Sequence, residues 1–257
     1  MNNPSKAGGL AGKKKRRGGA LWDTFKTILY AVIAALIVRT VAYEPFNIPS
    51  GSMIPTLLVG DYLFVSKFSY GYTHYSLPWS PKIFSGRILE TMPERGDVAV
   101  FKLPTDGETD YIKRIIGLPG DRIQVRESIL YINGEAVPRE QIEDFVYTDS
   151  NGSEQRVPQY VETLPNGKSY HVLDRRPDGL LDNTPVYVVP PGHYFGMGDN
   201  RDSSLDSRTQ QVGYIPSENL IGRAESIFFS SNGTAHIWEV WKWGEAIRGS
   251  RMFTEIR

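Results

Sequence analysis

The sequence predicts a mainly β protein: an antiparallel β-sheet core that carries an inserted small β subdomain and is preceded by one N-terminal transmembrane helix. Three observations predict it. From Asp61 onward the chain breaks into short runs rich in β-branched and aromatic residues, bounded by Gly, Pro and Asn-Gly turns. Between residues 122 and 190 the turns crowd more closely and long apolar runs are scarce. Ahead of all this lies a single long apolar run, Leu21–Tyr43. At 257 residues the chain has room for one large or two small domains with a real core.

Charge is balanced overall, 29 basic against 29 acidic residues, but it is unevenly placed. Residues 1–20 hold six basic residues and no acidic one, so the remainder is acidic by six. A basic tail ahead of a mildly acidic body argues against nucleic acid as a partner and for membrane topology. Cysteine is absent, which excludes a thiol nucleophile, a disulfide framework and thiolate metal sites. The four histidines, His74, His171, His193 and His236, lack the paired spacing of a zinc site. No metal and no cofactor is expected.

The Gly-, Lys- and Arg-rich residues 1–20 cannot bury enough apolar surface to fold and are expected to be a disordered tail. As a helix, residues 21–43 span ~35 Å, enough for a ~30 Å hydrocarbon core with some tilt. Asp23, Lys26 and Arg39 lie near the ends, where long side chains reach the headgroups, and Trp22 and Tyr43 sit at interface depth. The run reads as an uncleaved anchor. A cleavable signal peptide processed after Thr40-Val41-Ala42 and an amphipathic interfacial helix are the alternatives. The excess of Lys and Arg places the tail in the cytoplasm and everything after Tyr43 outside it.

Past the anchor, Asp61–Lys67 is a strand, and Tyr70–Trp79 is an aromatic loop that suits either the headgroup layer or a satellite core. Arg95-Gly96-Asp97 turns into Val98–Phe101, a buried-looking strand, and Asp110–Gly117 follows as another. Alternation along it puts Tyr111, Lys113 and Ile115 on one face and Ile112, Arg114 and Ile116 on the other. Charged strand residues ordinarily mark a solvated face, but the isoleucines on both faces point to a strand buried on both sides, which suits a desolvated Lys113. Residues 122–190 form the inserted subdomain, and the core comprises residues 44–121 and 191–257. Pro190–Phe195 returns the chain to that core and leads into Gly198–Arg208, whose three Asp, two Arg and three Ser form a loop folded into a site wall or a solvated surface loop.

One stretch stands out chemically. Pro49-Ser50-Gly51-Ser52-Met53-Ile54-Pro55-Thr56-Leu57 combines two prolines that fix φ with a glycine that frees it, which pre-sets a tight turn. Such a turn is either a linker between anchor and domain or a mount for a nucleophilic serine. Serine needs a base. A Ser-His-Asp set is possible on paper, but no G-x-S-x-G elbow occurs. A lysine base must have its pKa depressed by roughly 2 units to be usefully neutral, and apolar neighbours achieve this by disfavouring the ammonium. Lys113 is the lysine best placed for that.

Four segments together carry a resemblance: Ser50–Leu57, Arg95-Gly96-Asp97-Val98, Tyr111-Ile112-Lys113-Arg114 and Gly198–Arg208. In this order they resemble the bacterial type I signal peptidases (leader peptidases), over about residues 20–257. The resemblance implies a Ser-Lys serine endopeptidase with Ser52 as nucleophile and Lys113 as general base. It implies an oxyanion hole of the Ser52 N–H and the Ser50 hydroxyl, and a Ser204 that hydrogen-bonds and orients Lys113. Asp206 and Arg208 would support the site wall, with Asp199 and Arg201 structural. Phe46, Ile48, Pro49, Met53, Val100, Tyr111 and Ile112 match the family's substrate-pocket positions.

The implied substrates are signal peptides of exported preproteins, with small residues at −1 and −3. The implied location is the bacterial inner (plasma) membrane, single-pass, with the N-terminus cytoplasmic and the catalytic domain on the periplasmic or extracytoplasmic side. Signal peptides and the lipid bilayer are the expected partners, and a monomer is expected. Two departures are minor: two-span members have an additional N-terminal helix, and no disulfide can form in the inserted segment. A self-cleaving repressor-type Ser-Lys protease would need a DNA-binding module, which residues 1–43 do not offer. A membrane-anchored non-catalytic binding or scaffold protein of the same fold is the alternative from another class.

Overall fold

The computed structural model describes residues 17–148, 153–176, 178–236 and 238–257. The basic tail up to residue 16 and the Asn151-Gly152 turn lie outside them. Helix α1, Arg17–Val41, begins four residues before the expected anchor and ends two before it. Its 25 residues span about 38 Å. It ends at Val41 because the chain at once enters strand β1, Tyr43–Asn47, and the Lys67 N–H takes up the Ala42 carbonyl at 2.9 Å. Arg39 in the last turn suits the negative end of the helix and pairs with Glu44 at 2.5 Å. Among the described residues this is the one helix long and apolar enough to cross a membrane, and its most apolar stretch buries nothing against the rest of the protein.

The body is mainly β, with only short helical turns between strands. After β1 come β2 (Asp61–Ser66), β3 (Val98–Lys102) and β4 (Asp110–Gly117). Then follow β5 (Arg122–Arg126), β6 (Ile129–Ile132), β7 (Glu135–Ala136), β8 (Arg139–Thr148), β9 (Glu154–Thr163), β10 (Ser169–Leu173) and β11 (Tyr187–Val188). The chain closes with β12 (His193–Met197), β13 (Ile215–Pro216), β14 (Leu220–Ser230) and β15 (Thr254–Glu255). The main sheet runs β1-β2-β14-β3-β4-β12-β13, with β15 on β14, and its pairs are antiparallel. Two smaller sheets, β11-β5-β6-β7 and β10-β9-β8, draw their strands from residues 122–188.

Alternation explains which faces are buried. In β2, Leu63 and Val65 are buried while Tyr62 and Phe64 face outward, as a one-sided antiparallel strand requires. β4 departs from that pattern, being buried without a break from Lys113 to Gly117. Its two faces feed different cores: Ile115 packs with Phe101, Tyr194 and Ile215, and Ile116 with Ile123, Leu130, Val172, Phe195 and Met197. The latter core is shared, so the strands after Arg122 lean on β4 and β12 rather than closing a core of their own. In the aromatic loop Tyr70, Thr73, His74 and Ser76 are packed inside, whereas Trp79 is 93% exposed.

Candidate active site

Ser52 lies on the excursion between β1 and β2. The Ile48 N–H donates to the Asp61 carbonyl and the Gly60 N–H to the Ile48 carbonyl, each at 2.9 Å, so residues 49–59 bulge from a pinned base. Within the bulge the Leu57 N–H donates to the Met53 carbonyl at 2.9 Å. The segment after β12 clamps the other side. Asn200 donates its N–H to the Ser52 carbonyl at 3.1 Å and its Nδ2 to the Gly51 carbonyl at 3.0 Å. The approach needs glycine at 198: a Cβ there would lie 2.1 Å from the Ser204 hydroxyl and 2.6 Å from the Ser52 carbonyl.

Lys113 arrives from β4. Its Nζ donates to the Ser52 Oγ at 2.8 Å and to the Ile112 carbonyl at 2.8 Å. Both residues are buried, Ser52 at 8% exposure and Lys113 at 3%. Burial pushes the lysine pKa down from 10.5 to about 8, against the pull of Asp206 and Asp199 and helped by Arg208. That is the depression the apolar strand predicts, and it leaves a usable neutral fraction near pH 8.

The wall behind the pair is an ionic frame. Asp206 is fully buried and accepts from the Gly198 N–H at 3.0 Å and from Arg208 Nε at 2.9 Å and Nη2 at 2.8 Å. Burial works to raise the Asp206 carboxyl, but Arg208 outweighs it and holds the group below the usual range. Asp199 receives Arg114 in a fork, 2.9 Å from Nε and 2.7 Å from Nη2, and the Thr56 hydroxyl at 2.5 Å. Arg201 forks onto Glu162 of β9 at 2.8 and 2.5 Å, with the Tyr170 hydroxyl donating to the same carboxylate at 2.7 Å.

The structure brings most of the expected residues to one place. A groove of about 350 Å³ runs past the pair, lined by Phe46, Ile48, Pro49, Ser50, Val100, Tyr111 and Ile112, and also by Asn47, Thr109, Asp110, Ser203 and Leu205. Ser50 is exposed at its rim. Met53 is a correction: it is absent from the groove and wholly buried, packed with Leu57, Leu63 and Ile221. The turn folds its side chain inward because the excursion needs an apolar plug. Ser204 also departs from expectation. Its buried hydroxyl lies beside Asp206 and makes no hydrogen bond of good geometry among the described residues, so the expected bond to Lys113 is not made. Sequence reasoning did not single out Thr56, Glu162 or Asn200. Thr56 and Asn200 lie inside the segments that drew attention, while Glu162 carries no local signal at all.

Comparison with known proteins adds the family. Residues 21–229 match the family model described as signal peptidase, peptidase S26. The signal peptidase I of Rickettsia typhi is 39% identical over 249 residues, covering 90% of this chain and 92% of the relative. That of Rickettsia conorii is 38% identical over 254 residues, covering 91% and 92%. A crystal structure of a signal peptidase I from Enterococcus faecalis is 26% identical and covers 52% of this chain and 97% of its own, with a TM-score of 0.31. With a serine and a depressed lysine in contact beside a groove, and with this likeness over nine-tenths of its length, the chain belongs to the signal peptidase family, peptidase S26, and is a serine-protease hydrolase.

Proposed function

We propose that the protein is a membrane-anchored endopeptidase that removes N-terminal signal peptides from exported preproteins through a Ser52–Lys113 dyad. The observation that carries this is the 2.8 Å contact of a buried lysine with a buried serine hydroxyl. Neutral Lys113 takes the Ser52 proton as the Oγ attacks the scissile carbonyl. The resulting oxyanion meets the Ser52 backbone N–H, which has no acceptor among the described residues, and the Ser50 hydroxyl at the rim. The Lys113 ammonium then protonates the leaving amine as the C–N bond breaks. In the second half Lys113 deprotonates a water that hydrolyses the acyl-enzyme ester and returns the proton to Ser52. Ser204 supports the dyad by packing beside the Ser52 carbonyl at Gly198, and Asp199, Arg201, Asp206 and Arg208 hold that wall.

Asp110–Ile112 pair with β3 on one side and, among the described residues, have no strand on the other, since β12 begins to pair only at Arg114. An extended signal peptide adds along this free edge and drops alternate side chains into the groove. The apolar walls of Phe46, Ile48, Val100 and Ile112 suit small residues at −1 and −3. Helix α1 is the single anchor of an inner-membrane protein with its N-terminus cytoplasmic, and the catalytic core, residues 44–121 and 191–257, lies outside the cytoplasm with 122–190 inserted. One chain supplies dyad and groove together, which supports a monomer. The test is cleavage of a purified preprotein in liposomes by the wild type, Ser52→Ala and Lys113→Met. Both variants should lose at least about 10³-fold in rate while still unfolding in one cooperative thermal transition. Undiminished cleavage by either would overturn the dyad.

A further inference from the structure

Three carboxylates converge where the residues around Asp174 and Asp182 meet the segment that carries Ser204. Asp174, Asp182 and Asp202 each offer one oxygen to a common space, all within 4.8 Å of one another. Asp174 and Asp182 are 5% and 3% exposed, and Asp202 lies at the mouth. Hydrogen bonds account for only part of this charge. Asp174 Oδ2 accepts from Arg139 Nη2 at 2.7 Å, and Asp182 Oδ2 from the Gly179 N–H at 2.5 Å. Asp202 Oδ2 accepts from the N–H groups of Arg175 and Arg176 at 2.6 and 3.1 Å.

The other Asp174 oxygen, Oδ1, is buried with no hydrogen-bond partner among the described residues. The Ser128 hydroxyl beside Asp182, 7% exposed, has no partner in good geometry either. Among the described residues Arg139 is the one cation that pairs with the three, as Arg201 is spent on Glu162 and Arg175 reaches Tyr147. Buried carboxylates that lack a paired cation either take up a proton or coordinate a metal: burial, with Asp174 and Asp202 nearby, raises the Asp182 carboxyl, and a cation in the common space would relieve that repulsion. The backbone is cut back to let them meet: a Cβ on Gly179 would lie 2.8 Å from Asp202 Oδ1 and 2.9 Å from Asp182 Oδ2.

We propose that Asp174, Asp182 and Asp202 form a binding site for one divalent cation of calcium size. All three ligands are hard oxygens, which disfavours zinc and copper and suits calcium or magnesium. Calcium accepts oxygens at roughly 2.3–2.6 Å in flexible geometry and suits oxygens spread within 4.8 Å of one another, whereas magnesium demands near-ideal octahedral geometry at roughly 2.0–2.1 Å and keeps several waters. Histidine and cysteine spacing cannot reveal such a site, because its ligands are aspartates brought together by the fold. Asp202 is two residues from Ser204, so the ion ties the loop to the site wall.

The test uses the full-length protein in detergent micelles after EDTA treatment and dialysis. Calcium titrated by equilibrium dialysis should bind at one ion per chain, and calcium at ten times its dissociation constant should raise the melting temperature by about 3 °C or more. Magnesium at the same concentration should give less than half that shift. Asp182→Asn and the exposed Asp202→Asn should each weaken binding at least 10-fold. Absence of saturable binding by the wild type up to 10 mM calcium would overturn the site and needs no variant to fold. So would binding unchanged in Asp202→Asn, and an equal response to magnesium would overturn the assignment by size.

Discussion

Arg114 and Asp199 face each other through two parallel N–H···O contacts of 2.9 and 2.7 Å, and each is only 1% exposed. Arg114 follows Lys113 on β4, so alternation sends the two side chains to opposite faces. One strand thereby delivers the base to the serine and a guanidinium to the carboxylate that holds Thr56 on the serine turn. Arg114→Met leaves Asp199 buried and unpaired, which should lower unfolding stability by roughly 3–5 kcal/mol in a urea titration. Replacing both partners, Arg114→Met with Asp199→Leu, should recover most of that loss. A single variant within 1 kcal/mol of wild type would show that the pair does not clamp the turn.

Lys113 sets the pH dependence. With its folded pKa near 8, the neutral base is lost as pH falls, so kcat/KM for a preprotein should rise with pH along an acidic limb centred near 8. The same depression affects stability. The folded pKa lies below the unfolded value of 10.5, so the unfolded chain binds more protons between the two and stability should rise across that window. The gain amounts to about 3 kcal/mol. Lys113→Met should flatten this rise in urea titrations from pH 7.5 to 10.5. An activity limb near pH 6.5 would point to a histidine instead.

Ile112 lines the groove and packs against the core that holds Ile48, Val98 and Val100. Shortening it should widen the pocket, so Ile112→Ala should raise kcat/KM for a preprotein with Leu in place of Ala at −1 by at least about 10-fold. Cleavage of the Ala preprotein should change much less. A uniform loss on both substrates would mean that Ile112 holds the fold rather than the specificity.

The exposed apolar surface of α1 makes the anchor testable. The full chain should remain in the membrane pellet after alkaline carbonate extraction, and its mass should include residues 1–42. Recovery of a mature chain starting near Tyr43 would show the helix to be a cleaved leader.

How far the sequence reached is clearest at particular residues. The helix was legible because a long apolar run needs no partner to declare itself, though it ends at Val41, where the chain turns into β1 to pair with β2. Lys113 was legible because strand alternation and flanking isoleucines are local facts with a direct electrostatic consequence. Met53 was not. A turn has no period, so nothing in its sequence tells which side chain faces the groove and which plugs the core. The shared core of Ile116, Ile123 and Phe195 was equally hidden, because texture marks where an insertion starts but not what it leans on.

By itself the sequence determined the mainly β class, the apolar helix, the serine turn and the lysine that suits it. These follow from composition, periodicity and neighbours a few residues away. Only the tertiary structure decided that Lys113 meets Ser52 at 2.8 Å, that Asn200 and Asp199 hold the turn, and that Ser204 packs without bonding the lysine. It alone brought Glu162 to Arg201 and gathered Asp174, Asp182 and Asp202. Those contacts join residues far apart along the chain, and their distances are set by how sheets stack and loops close, which no local pattern encodes.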